Sequence, residues 1–258
     1  MIRVAVCGAA GRMGRLIVRQ LAGQKDMKLV AAIDVPEHPM IGKDAGLIAG
    51  VQKLGVNVVE SSKLSEVLRK TKPHVLVDFT TAEASVQNVK TAARMGVSVV
   101  VGTTGFTEEQ RRTLEAAIKR GRIRAVISPN FSVGVNVFFK LAREAAKVLG
   151  RDYEPSVVEV HHVYKKDAPS GTALRAAEIV AEEFGIEPEE IKIKSIREGE
   201  VVGDHTLAFA NSFEVLEITH RAKSREVFAV GTMKAIRYVI KKGKPGIIKD
   251  MQDVLGLR

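Results

Sequence analysis

The sequence has a single cysteine and no tryptophan among its 258 residues, and aromatic residues make up only 5% of it. One cysteine, Cys7, excludes an internal disulfide and indicates a reducing compartment, so we expect a cytoplasmic protein. No apolar run approaches the ~20 residues that a membrane-spanning helix needs. The first residues lead straight into a glycine-rich motif and do not resemble a signal peptide. We therefore expect neither a secreted nor a membrane protein.

Lysine and arginine outnumber aspartate and glutamate by 40 to 30, which gives a formal net charge of +10. Such an excess raises nucleic acid as a possible partner. However, the basic residues are scattered, and no aromatic stacking platform or recognition helix accompanies them. We therefore expect anionic small molecules, and not nucleic acid, as partners. A solvated basic surface is the alternative explanation of the charge.

The first half of the chain alternates short β-branched segments with amphipathic ones. Strands are predicted at residues 2–7, 28–34, 56–59, 74–79, 98–101 and 123–128, and helices at 11–22, 64–70, 82–95 and 108–120. Residues 35–55, rich in proline and glycine, are predicted to form a loop. Alternation of strands and helices favours right-handed crossovers, so we predict an α/β fold with a Rossmann-type, doubly wound parallel sheet.

The pattern changes after residue 130. Helices are predicted at residues 132–149, 170–184 and 225–241, and strands at 156–160, 191–196, 204–210 and 213–220. Two strands in direct succession around Asn211 and Ser212 indicate antiparallel pairing. We therefore predict a second α+β domain with a mixed sheet.

Three glycines, Gly8, Gly11 and Gly14, separate the first predicted strand from the first helix. Glycines at this position let the backbone turn tightly and approach a pyrophosphate, which rests on the helix N-terminus. Asp34 ends the next strand, where an acidic residue is expected to meet a ribose hydroxyl. The motif predicts NADH or NADPH as cofactor: Asp34 favours NADH, whereas Arg12 leaves NADPH open. The alternative is a turn whose glycines serve only helix–strand packing.

Three further loops follow predicted strands at the edge where ligands gather in open α/β sheets. They start at Phe79, Gly102 and Ser128. We predict that they line a nicotinamide pocket, although each taken alone is also a plain turn with a helix cap. Cys7 lies inside the first strand and is predicted to be a small core residue, which does not support a thiol nucleophile.

Residues 159–173, which read EVHHVYKKDAPSGTA, are the most informative stretch of the sequence. If the preceding strand continues to Lys165, then Glu159, His161 and Lys165 share one face and His162 points to the other. A helix then begins near Pro169, and its N-terminus can hold an anion. A proton donor, a cation and an anion site together suit an enzyme acting on a small carboxylate. The alternative is a set of surface histidines followed by a helix cap.

Metal binding is the weaker interpretation of the same stretch. Adjacent His161 and His162 would diverge on a strand, and no cysteine or second histidine pair stands at zinc-like spacing. We therefore predict no metal site.

These motifs resemble the dihydrodipicolinate reductase family, whose members are also called 4-hydroxy-tetrahydrodipicolinate reductases. The resemblance covers essentially the whole chain and is carried by residues 8–14, 102–105, 130–136, 159–172 and 250–256. It implies hydride transfer from NADH or NADPH to a cyclic imine dicarboxylate in lysine and diaminopimelate biosynthesis. It also implies a homotetramer, a dinucleotide-binding domain of residues 1–130 and 227–258, and a substrate-binding and oligomerisation domain of residues 131–226.

The resemblance also assigns roles to individual residues. His161 and Lys165 match the acid/base and proton-donor positions, without saying which of them delivers the proton. The matching substrate positions are His162, Ser170, Gly171 and Thr172. The matching cofactor positions are Gly8, Ala9, Ala10, Gly11, Arg12, Met13, Asp34, Phe79, Gly102, Thr103, Thr104, Ser128, Pro129, Asn130 and Phe131. Two departures are Val35, where relatives that accept NADPH often have arginine, and Tyr164, at a position that is often basic.

Two other functions fit parts of the sequence. Another two-domain NAD(P)-dependent oxidoreductase, such as an amino-acid or sugar dehydrogenase, would use the same first half but leave the histidine-rich stretch without a purpose. A redox-sensing regulator would bind NAD(H) and nucleic acid without turnover, yet no winged-helix or recognition-helix segment is present.

Overall fold

The computed structural model describes all 258 residues, which divide into two compact units. The first unit comprises Met1–Phe131, Phe228–Gly256 and Arg258, and the second comprises Ser132–Val227 and Leu257. The first unit is thus built from two long stretches of chain and the terminal Arg258. None of the helices has the length and apolar character required to span a membrane.

The first unit contains a seven-stranded sheet in which every pairing is parallel. Its order, β11-β6-β5-β4-β1-β2-β3, reverses direction next to the first strand, as in Rossmann-type sheets. The strands are β1 Ile2–Cys7, β2 Met27–Asp34, β3 Val58–Glu60, β4 Val75–Asp78, β5 Ser98–Val101, β6 Ala125–Ile127 and β11 Ile248–Lys249. The predicted parallel, doubly wound fold is confirmed.

Helices cover both faces of this sheet, which explains why its central strands are apolar throughout. One core contains Ile17 and Ile236, and the other, on the opposite face, contains Leu68 and Leu114. The helices are α1 Arg12–Ala22, α2 Ala45–Ile48, α3 Leu64–Thr71, α4 Ala82–Arg94, α5 Glu108–Gly121, α8 Glu226–Lys241 and α9 Met251–Leu255. All four residues of β4 and of β5 are buried.

The second unit contains a four-stranded mixed sheet in the order β10-β9-β7-β8. Its strands are β7 Glu154–His161, β8 Lys192–Arg197, β9 Asp204–Ala210 and β10 Val215–Arg221, and its helices are α6 Val133–Leu149 and α7 Gly171–Phe184. Strands β7 and β8 are parallel, whereas β9 is antiparallel to both β7 and β10. Residues from both helices and from one sheet face, including Phe138, Val180 and Leu207, form the core. The predicted α+β class is confirmed.

The structure differs from the sequence-based expectations, or adds to them, in three local features. Residues 35–55 include the short helix α2, because the buried Asp44 carboxylate accepts hydrogen bonds from the backbone N–H groups of Gly46 and Leu47. The segment after α8 adds the edge strand β11, which pairs with β6, and the helix α9. Strand β7 ends at His161 and does not continue to Lys165, because the chain turns there and the Lys165 N–H bonds the His162 carbonyl at 3.1 Å.

Candidate active site

The glycine-rich loop of the first unit joins β1 to α1 with very little space around its backbone. Gly8 has φ +73°, and a Cβ atom there would lie 2.7 Å from the Phe79 carbonyl oxygen. A Cβ atom on Gly14 would lie 1.9 Å from the Gly8 carbonyl oxygen. Helix α1 begins after Gly11, which makes no side-chain cap, so the first-turn N–H groups have no internal side-chain acceptor. The loop therefore fits the pyrophosphate of a dinucleotide, which needs close backbone approach and N–H donors.

Asp34, at the end of β2, holds this loop in place. It is 8% exposed, and its Oδ2 accepts a hydrogen bond from the Ala10 N–H at 2.8 Å. Its Oδ1 accepts one from the Val35 N–H, also at 2.8 Å. Each carboxylate oxygen has a second lone pair, so the same residue can also accept a ribose hydroxyl.

Asp78 ends β4 and ties two further strand-end loops together. Its fully buried carboxylate accepts hydrogen bonds from Asn88 Nδ2 at 2.7 Å, Thr80 Oγ1 at 2.8 Å and Thr103 Oγ1 at 2.9 Å. Thr103 Oγ1 in turn accepts from the Thr80 N–H at 3.0 Å. Burial raises the pKa of Asp78, and these hydrogen bonds oppose that effect. The network therefore fixes the two loops that follow β4 and β5.

The residues predicted to line the nicotinamide pocket lie at one edge of the sheet, in the loops that follow β4, β5 and β6. The Phe79 ring lies over Gly102, where a Cβ atom would be 2.1 Å from the ring, and it contacts the Phe131 ring with centroids 5.4 Å apart. Ser128 Oγ donates to the Asn130 carbonyl at 3.1 Å and closes the loop after β6. The remaining predicted cofactor residues fall at this edge or in the first turn of α1: Ala9, Arg12, Met13, Thr104 and Pro129.

In the second unit, His161 ends β7 within a buried charged cluster. Its Nδ1 bonds Glu159 Oε2, and the other carboxylate oxygen, Oε1, accepts from Arg197 Nη1 at 2.9 Å. Glu159 is fully buried and His161 is 8% exposed. The predicted sharing of one strand face by Glu159 and His161 fits this contact, and Arg197 is the register partner of His161 on β8.

Lys165 lies in the turn after β7 and is connected to the same cluster. Its Nζ donates to Asp167 Oδ2 at 2.6 Å, while the backbone carbonyl of Asp167 accepts from Arg197 Nη2 at 2.5 Å. A chain of hydrogen bonds through Glu159, Arg197 and Asp167 therefore joins His161 and Lys165, the two predicted proton-transfer residues.

The predicted substrate residues at the start of α7 are held by a second histidine. Ser170 caps the helix, with its Oγ accepting from the Ala173 N–H, and the same Oγ bonds His205 Nε2 at 3.0 Å. Gly171 and Thr172 form the first turn, at the positive end of the helix dipole. This arrangement suits a carboxylate. His162 points elsewhere and its Nε2 contacts Arg225 Nη2 at 3.2 Å.

Burial dominates the electrostatics of the histidine cluster. It lowers the pKa of His161, an effect that Glu159 opposes and that Lys165 and Arg197 reinforce. It also lowers the pKa of His205 to about 3, with a further contribution from His161. For Glu159, burial raises the pKa, but Ser195, Arg197 and His161 outweigh it, so the net shift is downward. At neutral pH the cluster thus contains a carboxylate, a guanidinium and two neutral imidazoles.

Arg197, His205 and Asp78 are the residues of these two sites that the sequence reasoning missed. His205 lies opposite Glu159 in the register of β7 and β9, a relation that only the strand pairing reveals. Glu159, His161 and His205 offer ligand atoms that lie within 4.8 Å of one another, a spacing that could suit a metal. However, both Glu159 oxygens already pair with His161 and Arg197, and the guanidinium would repel a cation.

The Rossmann-type sheet and the glycine-rich loop of the first unit define an NAD(P)H-dependent oxidoreductase. Residues 2–131 match the family described as "Dihydrodipicolinate reductase, N-terminus", and residues 134–255 match "Dihydrodipicolinate reductase, C-terminus". The chain therefore belongs to the dihydrodipicolinate reductase family, and its cofactor is NADH or NADPH. The predicted resemblance is confirmed.

Individual relatives agree with this assignment. A 4-hydroxy-tetrahydrodipicolinate reductase of Methanocaldococcus jannaschii is 52% identical over 272 residues, covering 100% of this chain and 98% of that protein. One of Methanosarcina barkeri is 51% identical over 269 residues, covering 100% of each. Among solved structures, a dipicolinate-bound dihydrodipicolinate reductase from Paenisporosarcina sp. TG-14 matches with a TM-score of 0.79 at 25% identity, covering 98% of each chain.

Proposed function

We propose that this protein reduces 4-hydroxy-tetrahydrodipicolinate to tetrahydrodipicolinate with NADH or NADPH, in lysine and diaminopimelate biosynthesis. The observation that carries the proposal is the cluster of buried Glu159 and His161 with half-buried Arg197, which is linked to Lys165 and lies in the same unit as the Ser170 cap. The overall change consumes one hydride and one proton and releases water. The relatives' names support the same reaction.

The first unit is the dinucleotide-binding domain in this proposal. The loop around Gly8 and Gly14 would hold the pyrophosphate, Asp34 would accept a ribose hydroxyl, and the Asp78 network fixes the strand-end loops that would line the nicotinamide site. The bound cofactor supplies the hydride. We infer a cytoplasmic location, because reduced nicotinamide and the unpaired thiol of Cys7 both suit a reducing compartment.

The second unit binds the substrate and supplies the proton. A hydride that reaches the conjugated ring leaves an enamine, which must be protonated on carbon. A well-positioned acid contributes about 10²–10⁴ in rate to such a step. His161 and Lys165 form the pair that provides it, with His161 held by Glu159 and Lys165 held by Asp167.

The two carboxylates of the substrate need N–H donors and cations. The first turn of α7, at Ser170, Gly171 and Thr172, offers backbone and hydroxyl donors at the positive end of the helix dipole. Lys165 adds a positive charge, and His162 with Arg225 provides a second basic pair in this unit.

The test is oxidation of NADH, and separately of NADPH, followed by absorbance. The substrate is made in the cuvette from pyruvate and aspartate semialdehyde by the preceding pathway enzyme. Rapid oxidation that requires this mixture supports the proposal, and the two rates give the cofactor preference. Oxidation of amino acids or sugars with NAD(P)⁺, with no reaction toward the cyclic imine, would favour the rival dehydrogenases.

We also propose that the second unit assembles the protein into a homotetramer through the open face of its sheet. The helices cover only one face, and the other carries half-buried Val158 and Val160. Further along the same face, on the edge strand β10, Val215 is 60% exposed, and Phe213, in the hairpin before β10, is 93% exposed. Light scattering of a Val160→Asp variant should show smaller species than the parent protein; an unchanged mass would reject this interface.

A further inference from the structure

The buried carboxylate of Glu159 transfers no proton in the proposed reaction, although it bonds His161 directly. It is the only acidic side chain among those bonded to His161, and it is fully shielded from solvent. A buried charge of this kind is costly unless it is paired on each oxygen, which is the case here. The contact with His161 depends on the alternation of side chains along β7, and the contact with Arg197 depends on the register of β7 with β8.

We propose that Glu159 and Arg197 are positioning residues that set the proton-transfer geometry of His161 and Lys165. Glu159 fixes the tautomer of His161. Arg197 fixes the position of the turn that contains Lys165 relative to His161. The inference rests on the proposed function, because it assigns a purpose to residues that act through the two proton-transfer groups.

The tautomer follows from the hydrogen-bond chemistry of the pair. An ionised carboxylate only accepts hydrogen bonds, so in neutral His161 the hydrogen must be on Nδ1. The other nitrogen, Nε2, is then the position at which a proton is gained or lost. Carboxylates that orient a histidine in this way are known in hydrolytic triads, where the wrong tautomer costs ~10⁴ in kcat.

The direction of Nε2 is visible at Gly203, just before β9. A Cβ atom added there would lie 2.9 Å from His161 Nε2 and 3.6 Å from His205 Cε1. Gly203 is not in the left-handed region, so alanine is compatible with its backbone. The missing side chain therefore leaves space beside the nitrogen that exchanges the proton.

Arg197 carries the coupling to Lys165. Its Nη1 contacts Glu159 Oε1 at 2.9 Å, and its Nη2 contacts the Asp167 carbonyl at 2.5 Å. Asp167 Oδ2 in turn accepts from Lys165 Nζ at 2.6 Å. A planar guanidinium can hold two such acceptors in fixed directions, whereas a lysine ammonium cannot reproduce that fork.

The groups that face His161 are Glu159 on its own strand, Arg197 on β8, His205 on β9 and Lys165 in the following turn. His205 packs edge-on against the ring with centroids 5.1 Å apart. Of these groups, only Glu159 is an acceptor bonded to Nδ1, so Glu159 alone determines the tautomer of His161.

The deciding experiment compares Glu159→Gln with the parent protein. A glutamine amide can donate to Nδ1 and so favour the opposite tautomer. We expect kcat to fall by about 100-fold to 10⁴-fold, with unchanged NADH affinity measured by fluorescence. The ¹⁵N chemical shifts of His161 should report hydrogen on Nδ1 in the parent and on Nε2 in the variant. Unchanged kcat, or hydrogen on Nε2 in the parent, would overturn the inference.

Glu183→Gln is the matched control, because Glu183 on α7 also pairs with an arginine, Arg143, but lies outside the cluster. It should leave kcat and the histidine shifts unchanged. Gly203→Ala should lower kcat while leaving hydrogen on Nδ1, since it crowds Nε2 without touching the carboxylate. If it lowers neither kcat nor the rate of proton uptake, Nε2 is not the exchanging atom.

Arg197→Lys keeps the positive charge and is the second test of the proposal, to be used if Glu159→Gln does not fold. It should retain the Nδ1 tautomer but lower kcat about tenfold or more and shift the pH profile, because the Asp167 contact is lost. A parent-like pH profile would argue against the coupling. A parent protein that folds and binds NADH but does not reduce the cyclic imine would reject the proposed function instead, while the tautomer measurement would still stand.

Discussion

The two candidate sites are built on opposite principles. In the first unit, backbone groups surround the ligand position, and the fully buried carboxylate of Asp78 accepts hydrogen bonds from three side chains. In the second unit, ionisable side chains form the site, and the buried Nδ1 atoms of His162 and His205 have no hydrogen-bond partner within the protein.

This difference separates binding from chemistry. Buried polar groups are normally satisfied, so unpartnered ones call for an explanation. A site that only holds a cofactor is best built rigid and complete. A site that must move a proton needs groups whose hydrogen-bonding capacity is left for the reaction. Substitutions in the first unit should therefore weaken cofactor binding, whereas substitutions in the second should lower kcat.

The largest expected effect is on chemistry in the second unit. His161→Gln removes the imidazole that exchanges a proton, so we expect kcat to fall about 10²–10⁴-fold. NADH affinity should stay the same, because the glycine-rich loop belongs to the first unit. Steady-state kinetics and NADH titration test both. An equal loss in kcat and in NADH affinity would contradict the proton-transfer role.

The next effect is on cofactor binding in the first unit. Gly14→Ala would place a Cβ atom 1.9 Å from the Gly8 carbonyl oxygen and displace the loop. Overpacking of this kind costs about 1–3 kcal/mol, so NADH should bind roughly tenfold to a hundredfold more weakly. Calorimetric titration measures the change.

Gly23→Ala is its control at the other end of α1, where a Cβ atom would lie 3.7 Å from the nearest oxygen. It should bind NADH as the parent does. If both variants bind normally, the close approach at Gly14 serves helix–strand packing alone.

A third effect is on stability. Asp78→Ala leaves the hydrogen-bond donors of Asn88, Thr80 and Thr103 without their acceptor. A buried donor left unsatisfied costs about 1–3 kcal/mol, so the free energy of unfolding should fall by at least that amount. Urea denaturation measures it. The exposed pair of Glu108 and Arg112 provides the control, because Glu108→Ala should change stability by less than about 1 kcal/mol.

The smallest effect is a difference in pH response. The pKa of His205 is lowered from 6.5 to about 3, so between these values the unfolded chain binds the proton and the folded one does not. This contribution destabilises the second unit as pH falls below about 6.5. The pKa of Asp78 is raised, so its contribution has the opposite sign and stabilises the first unit as pH falls.

Hydrogen exchange measured at pH 7 and pH 5 tests this contrast. Protection of the β9 amides should decrease more than protection of the β4 amides, after correction for the intrinsic exchange rates. His205→Gln should remove the extra loss in β9. Equal changes in the two strands would contradict the assignment.

Sequence patterns predict the first unit well because its site follows from local rules. A glycine loop between a strand and a helix has few geometries, and strand ends in a parallel sheet gather at one edge. The short helix α2 was not predicted, because it depends on hydrogen bonds that the Asp44 carboxylate accepts from backbone groups as distant in sequence as Gly55. Strand β11 escaped because two residues carry too little pattern to identify a strand.

The second site was only half predictable. His161 and Lys165 stand out as residue types, and Ser170 as a helix cap. Arg197 and His205 do not, because their contacts depend on which strands pair and in which register. Glu159 and Arg197 are 38 residues apart in sequence, so no local sequence pattern can predict their contact.

The first unit is completed only by residues near the end of the chain, whereas the second is almost continuous, and this division has a consequence for biosynthesis on the ribosome. The core of the first unit requires Met233, Ile236 and Met251, which are among the last residues to be made. Apart from Leu257, every residue of the second unit has been synthesised once Val227 is made. Domains fold as their residues emerge from the ribosome. The second unit, with its histidine cluster, should therefore fold before the first. The first unit should keep apolar surface exposed until translation ends.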